Sequence, residues 1–428
     1  MRRYVFFIAC IVLIAPLAAA AQGPIGRGET LDLGRCLAIA LEQHPSILAA
    51  AGALRAGDSR IGQARAGHYP QISGSAGYNR SDPISSTTAF GSGVADSYSS
   101  TVLLSQNLYD FGRTATQVRI QELSRDSFRS DLDDVRTRVI FGVKQAYYGL
   151  LRAKSNREVS REVVGQFQQH LERAQAFFVI GTKPKFDVTK AEVDLSGARL
   201  NLLRAENALR LARVALSNAI GLPEAEQYDI AEQLAFRRLD VDLDEALRKA
   251  AERRPDLQSI LIRKSAQQQS IELARKGYYP SLSGSASYGW GGSGGHFPLD
   301  QGWSFGAQLA IPLFTGYSTK YQIDEAMANL EVLAANEALL RQAIDQEVRQ
   351  AWLNMQEAAD RVGVAELSVR QAAENLDLAN GRYASGVGSP IEVTDALAAA
   401  SNAKTAHIAA LSDYNVAHAA LEKAVGER

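Results

Sequence analysis

This chain is written twice, and the length of the repeated unit limits what it can fold into. The segment Ile61–Tyr78 (IGQARAGHYPQISGSAGY) returns as Ile271–Tyr288 (IELARKGYYPSLSGSASY), 210 residues later. His44-Pro45 returns as Arg254-Pro255, and Gly181 with Asp187-Val188-Thr189 returns as Gly386 with Glu392-Val393-Thr394, so the offset drifts only to 205. Solenoids and propellers repeat every 20–50 residues or so. A copy of roughly 200 residues is a whole structural unit, and two of them fill the chain.

Arg2 and Arg3 precede an apolar run from Tyr4 to Leu17 and the small residues Ala18–Ala21 ahead of Gln22. That is the layout of a cleavable export signal, so residues 1–21 are set apart from the fold. Beyond it no stretch offers the ~18 consecutive apolar residues of a membrane helix. Any membrane crossing must therefore be made by β-strands. With Cys10 in the signal, Cys36 stands alone and reads as a small buried hydrophobe. Basic and acidic residues number 46 and 47 with no basic tract, which argues against nucleic acid as a partner.

Each copy runs through the same parts: a short helical lead-in, a strand, a Gly/Ser-rich loop, a second strand, a very long helix, a turn and a shorter returning helix. In the last strand Trp303, Phe305, Ala307, Leu309, Ile311 and Leu313 alternate with Ser304, Gly306, Gln308 and Ala310. Its partner sets Leu282, Ala286, Tyr288 and Trp290 against Ser281, Ser283, Ser285 and Ser287. In the first copy Ile72, Gly74, Ala76 and Tyr78 oppose Gln71, Ser73, Ser75 and Gly77, and Tyr98–Tyr109 supplies the remaining strand. An apolar outer face, a polar inner face and aromatic ends over about 10 residues fit a transmembrane barrel. Four strands cannot close one, because the smallest use about eight and lipid tolerates no open edge. The barrel must be shared, and a conduit favours three chains and twelve strands, since an eight-stranded barrel is filled by its own side chains.

Between Gly112 and Gly181, and between Gly316 and Gly386, there is no proline and little glycine. In the second of these runs apolar residues recur every three to four positions, from Ile323 and Leu330 through Val348 and Val362 to Leu376. The spacing predicts two helices of roughly 100 Å, which must run as coiled coils with the returning segments Phe186–Ile220 and Ile391–Val425 as antiparallel partners.

An exported chain with two copies of strand, loop, strand and long helical hairpin resembles the TolC family of outer-membrane efflux ducts. The resemblance rests on Tyr69-Pro70 and Tyr279-Pro280 before the strands, on Leu108–Gly112 (LYDFG) with its counterpart Pro312–Gly316 (PLFTG), and on the tips Gly181–Thr189 (GTKPKFDVT) and Gly386–Thr394 (GVGSPIEVT). It implies an α+β membrane protein: a trimeric 12-stranded transmembrane β-barrel, four strands per chain, continued by a long α-helical coiled-coil barrel. Residues 22–221 and 244–428 would be the two repeats, with 222–243 a linker in an equatorial belt. The resemblance further implies a homotrimer in outer-membrane lipid that extends into the periplasm. There a periplasmic adaptor and an inner-membrane transporter complete a tripartite efflux pump or, alternatively, a type I protein secretion system.

The tips carry the candidate site. Gly181 and Gly386 can take the left-handed conformation that ends a helix, while Pro184 and Pro390 preset the start of the next. By the resemblance, Gly181, Pro184, Asp187, Val188, Thr189, Gly386, Gly388, Pro390, Val393 and Thr394 form the adaptor-docking tips. Glu392 and Asp395 match acidic positions that give the tunnel entrance its cation selectivity; six carboxylates around one axis attract cations and repel anions. Acids in a first helical turn also complement the helix dipole, which is the plainer account. The first copy departs from the pattern by placing Lys190 where the second has Asp395.

Gly289–Gly294 (GWGGSG) and Gly291–Gly295 (GGSGG) satisfy GxGxxG and GxSxG, but both patterns need a following helix, and His296-Phe297-Pro298 leads into a strand instead. This segment reads as a loop at the barrel's outer end, and Ser81–Ser97 as its counterpart. No catalytic residues, metal ligands or cofactor motif emerge, so the chain does not read as an enzyme. An exported coiled-coil scaffold is the alternative of another class, but it leaves the alternating strands unexplained.

Overall fold

A computed structural model describes residues 30–81, 95–222, 228–231, 234–293 and 300–427; the export signal read at 1–21 lies outside the described residues, as do 82–94 and 294–299 between the strands. The first copy comprises β1 (Thr30–Leu31), α1 (Leu33–Gln43), α2 (Pro45–Arg65), β2 (Gln71–Ser81), β3 (Ala95–Tyr109), α3 (Arg113–Val179) and α4 (Lys185–Ala219). After β4 (Asp229–Ile230) come α5 (Leu243–Arg253), α6 (Pro255–Arg275), β5 (Ser281–Ser293), β6 (Asp300–Ala310), α7 (Ser318–Ala384) and α8 (Pro390–Val425). The lead-in, expected as one short helix, is two. His44 and Arg254 are extended, and the prolines that follow them start new helices.

β2, β3, β5 and β6 form one antiparallel sheet in that order. Its register gathers Ile72, Leu104, Ala286 and Phe305 into one cross-strand row and Gly74, Val102, Tyr288 and Trp303 into another. The intervening rows are Gln71, Ser105, Ser285 and Gly306, and Ser73, Leu103, Ser287 and Ser304. One face is thus apolar and the other small and polar, with Leu103 the exception. Trp303 and Phe305 are 78% and 77% exposed, because no described element of the chain covers the apolar face.

Two strand limits differ from expectation. β5 continues through Gly289–Ser293, paired with Ser97–Thr101, so most of the glycine segment read as a loop is strand. A Cβ on Gly289 would stand 3.2 Å from Thr101 Oγ1 and 3.3 Å from the Ser100 carbonyl oxygen, so glycine here serves close strand approach rather than a turn. β6 stops at Ala310, leaving Ile311 and Leu313 in the link to α7 beside Pro312, which cannot donate to a ladder.

The long helices each span 67 residues, about 100 Å. α2 and α4 pack end to end along α3, and α6 and α8 do the same along α7, while α3 also packs on α6 and α8 across the repeats. The lateral order is therefore α2–α3–α6–α7 toward the sheet and α4–α3–α8–α7 toward the tips. It repeats the strand order, since each strand prolongs one of those helices. Ion pairs cross the repeat boundary at Arg263–Asp131 (2.6 Å) and Lys404–Glu162 (2.7 Å).

Two apolar cores lie at mid-height. One joins α1, α3 and α4 through Cys36, Ile39, Val143, Leu150 and Leu216, and the other joins α5, α7 and α8 through Ala250, Val348, Met355 and Tyr414. β1 and β4 pair in parallel beside the first. Cys36 is fully buried there, and burial pushes its thiol up to about 12, so it packs rather than reacts.

Candidate functional site at the hairpin tips

Both reversals are built from the same backbone device. At the first, Gly181 has φ +78°, its N–H donates to the Phe178 carbonyl (3.0 Å), and the Thr182 N–H reaches back to Phe177 (3.0 Å). At the second, Gly386 has φ +83°, its N–H donates to Tyr383 (3.1 Å), and the Val387 and Gly388 N–H groups share the Arg382 carbonyl (3.2 and 2.9 Å). These bonds satisfy carbonyls that a helix end leaves unpaired, and glycine accepts the positive φ without a Cβ penalty. Gly388 is held for another reason: a Cβ there would lie 2.7 Å from the Tyr383 nitrogen.

The helix that leaves the second reversal is capped on both sides. The Ser389 hydroxyl accepts from the Ile391 N–H (3.2 Å), Glu392 accepts from the Ser389 N–H (3.4 Å), and the other Glu392 oxygen takes Arg382 Nε at 3.0 Å. The Arg382 guanidinium, with the Ser389 N–H behind it, holds the Glu392 carboxyl below the usual glutamate range. Its charge is engaged locally, as the plainer account of a first-turn acid requires. Asp395, one turn on, is exposed and forms no hydrogen bond or ion pair with any described residue. In the first copy Lys190 occupies the matching position and pairs with Asp194 at 2.5 Å.

Several residues read as docking surface are instead packed inside the tips. Asp187 is 5% exposed, Val393 is 1% exposed, and Thr394, Pro390 and Gly388 are buried too, because a tight reversal turns the first residues of the returning helix toward its partner. Val188 packs against Leu171, Ala174, Ala191 and Leu195. Gly181, Pro184, Thr189 and Gly386 do face outward. The exposed apolar surface comes from residues the sequence reading passed over: Val179 (83% exposed), Ile180, Phe186, Val387 and Ile391.

The apolar period of the second long helix extends to Tyr383, but its contact with the first hairpin was not foreseen. Only 1% exposed, it joins the two hairpins, with its ring 5.1 Å from His170 and 5.7 Å from Phe177 on α3, and Lys183 Nζ 5.6 Å from its centroid. Ala379, Val393, Ala396 and Leu397 complete this cluster, while the Tyr383 hydroxyl is buried without a hydrogen-bond partner. Burial holds the His170 imidazole below its usual range, against the opposing pull of the Asp194 carboxylate.

A sheet with an uncovered apolar face, prolonged by two ~100 Å hairpins that end in tight reversals, is the chain plan of an outer-membrane channel. The chain belongs to the outer membrane efflux protein family, whose model matches residues 37–222 and 246–427. It is 24% identical over 399 residues to the outer membrane protein TolC of Vibrio cholerae, covering 90% of this chain and 89% of that one. With the protein CyaE of Bordetella pertussis it shares 26% identity over 419 residues, 94% of this chain and 86% of the relative. The crystal structure of the Campylobacter jejuni CmeC outer membrane channel matches its fold with a TM-score of 0.80 at 18% identity, covering 92% of this chain and 85% of that one. The chain is thus an outer-membrane transport protein of the TolC family that reaches into the periplasm, and its family is one of channels rather than enzymes.

Proposed function

We propose that three copies close into a 12-stranded barrel continued by a helical tunnel, and that this duct is the passive exit component of a tripartite efflux pump. The carrying observation is the matched pair of open edges. β2 and β6 are the outer strands of the sheet, and toward the tips α4 and α7 are the outer helices on the same two edges. α4 exposes Val193, Leu200, Leu203, Leu211 and Val214, and α7 exposes Val332, Leu339, Leu353, Val364 and Leu378. Each set falls on one helix face, so the α4 edge of one copy and the α7 edge of the next supply complementary apolar seams. Contacts between two different edges generate a ring when the rotation closes. An open strand edge in lipid leaves no other stable arrangement.

The exposed apolar residues of the tips would receive a periplasmic adaptor, which links the duct to an inner-membrane transporter. At the entrance we assign cation selectivity to Asp395, exposed and unpaired, and a capping role to Glu392. Single-channel recording of the purified mature protein in planar bilayers, with its oligomeric mass measured in detergent, tests both parts. A trimer with cation-selective conductance is expected, and a monomer that never inserts would overturn the duct. Asp395→Asn should move the reversal potential toward zero while Glu392→Gln leaves it in place. The opposite pattern would return the gate to Glu392.

A further inference from the structure

We infer that the collar where the sheet meets the helices is a binding surface for anionic phospholipid head groups of the periplasmic leaflet, with Arg113 and Lys320 as the residues that meet the phosphates. This inference rests on the reading of the sheet as membrane-embedded.

The ten residues on the helical side of each of the four strand ends (61–70, 110–119, 271–280 and 311–320) hold six Lys or Arg and two Asp or Glu, whereas the whole chain holds 46 and 47. Both acids are already engaged. Asp110 accepts the N–H groups of Gly112, Arg113 and Thr114 and the Asn107 amide, while Glu272 takes Arg275 at 2.8 Å. Of the cations, Arg65 and Arg119 share Glu122, and Lys276 donates to the Gly112 carbonyl and the Thr116 hydroxyl. Arg113 and Lys320 are exposed and meet no carboxylate within ion-pair distance among the described residues; Glu325 lines the same cleft as Arg113 without pairing to it.

Their placement runs against local electrostatics. Each lies in the first turn of a long helix, where the dipole already concentrates positive charge, and neither helix has an acid in that turn. α4, α5, α6 and α8 do carry first-turn acids. Asp110 meets the backbone N–H groups that open α3, but among the described residues no carboxylate lies within ion-pair distance of the Arg113 guanidinium or the Lys320 ammonium.

Aromatic side chains share the collar. Tyr69, Phe111, Tyr279, Phe314 and Tyr317 are all exposed, continuous with the apolar sheet face, and mark the depth of a membrane–water interface. Among the described residues the opposite rim has the other sign, with Asp96 and Asp300 against Arg80, which itself lies 3.7 Å from Asp96. An excess of cations beside interfacial aromatics, found among the described residues on one rim and not on the other, matches the phosphate level of one leaflet.

Native mass spectrometry of the detergent-purified full chain, given equimolar phosphatidylglycerol and phosphatidylcholine, tests the assignment. Each cation near a lipid surface favours anionic lipid by about fivefold. Wild type should therefore retain phosphatidylglycerol preferentially, and Arg113→Gln with Lys320→Gln should cut the preference roughly 25-fold, while Arg80→Gln on the far rim leaves it intact. Equal retention of both lipids, an unaltered double variant, or displacement of the lipid by millimolar inorganic phosphate would each overturn the assignment. The same spectra report the oligomer. A trimer without lipid preference refutes the collar alone, whereas failure to assemble refutes the duct.

Discussion

Tyr383→Ala should open the joint between the two hairpin tips, and Tyr383→Phe should not. The ring is buried against His170, Phe177 and the Lys183 ammonium, so truncation deletes an aromatic side chain from a packed site. Such deletions cost about 3–5 kcal/mol. At the lower end, with a factor of ten for each ~1.4 kcal/mol, the population in which the tips have separated rises roughly 100-fold. Removing only the hydroxyl does the reverse. That group is buried without a hydrogen-bond partner, a state that costs about 1–3 kcal/mol, so phenylalanine should hold the joint as well as tyrosine or better. Tryptic cleavage after Lys185, a few residues from the joint, reads local opening directly, and single-channel conductance reads its effect on the entrance. The alanine variant should be cut faster and conduct more, with the phenylalanine variant at or below wild type on both scales. If the phenylalanine variant opened as far as alanine, a polar contact of the hydroxyl would be the fastening, and the packing argument would fail.

Gly388→Ala should disturb the second reversal more than Gly181→Ala disturbs the first: the former drives a Cβ into backbone at 2.7 Å, the latter pays only left-handed strain of about 1–2 kcal/mol in open space. Amide exchange over Arg382–Thr394 and Phe177–Thr189 compares them, and equal protection losses would contradict this. His170 is kept neutral by burial, so its folded pKa lies below its unfolded value. The stability it lends the joint is complete above about pH 6.5 and is lost as pH falls through the folded pKa. Conductance should rise from pH 7.5 to pH 5, and His170→Phe should flatten that rise even with Asp194, Asp187, Arg173 and Lys190 still in place; an unchanged profile would exclude His170. Tyr317, at φ +65°, is strained where the first repeat has Gly112 at the same distance from its helix, so Tyr317→Gly should raise the melting temperature in detergent by relieving about 1–2 kcal/mol. A fall would mean that the aromatic contact with Phe314 outweighs the backbone.

The helices were legible to within a few residues because their ends are set by local chemistry: a glycine with positive φ closes each long helix, and proline stands at or just before the start of each return. The faces of the strands were legible for the same reason, a period of two that needs no knowledge of neighbours. Gly289–Ser293 was not, since glycine signals both turns and close strand approach, and only the pairing with Ser97–Thr101 distinguishes them. Nor could alignment on the glycines show that Gly112 and Tyr317, not Gly112 and Gly316, hold equivalent places before their helices. The tip contacts were hidden more deeply. His170 and Tyr383 belong to different copies, and no periodicity connects them. For the site, the family resemblance singled out Glu392 and Asp395 as a pair, but only the position of Arg382 separates the engaged acid from the free one.

α3 and α7 run unbroken from the sheet to the tips, whereas their companions are interrupted at mid-height, where α2 gives way to α4 and α6 to α8. In mechanical terms the chain is a pair of rods splinted separately above and below a pivot. Long helices bend gently at little cost, and the level without a continuous splint is where bending concentrates. A sideways load on the tips can therefore swing the lower arms about that level while the upper arms stay registered to the strands. One end of a ~100 Å rod can do work that the lipid at the other end never feels.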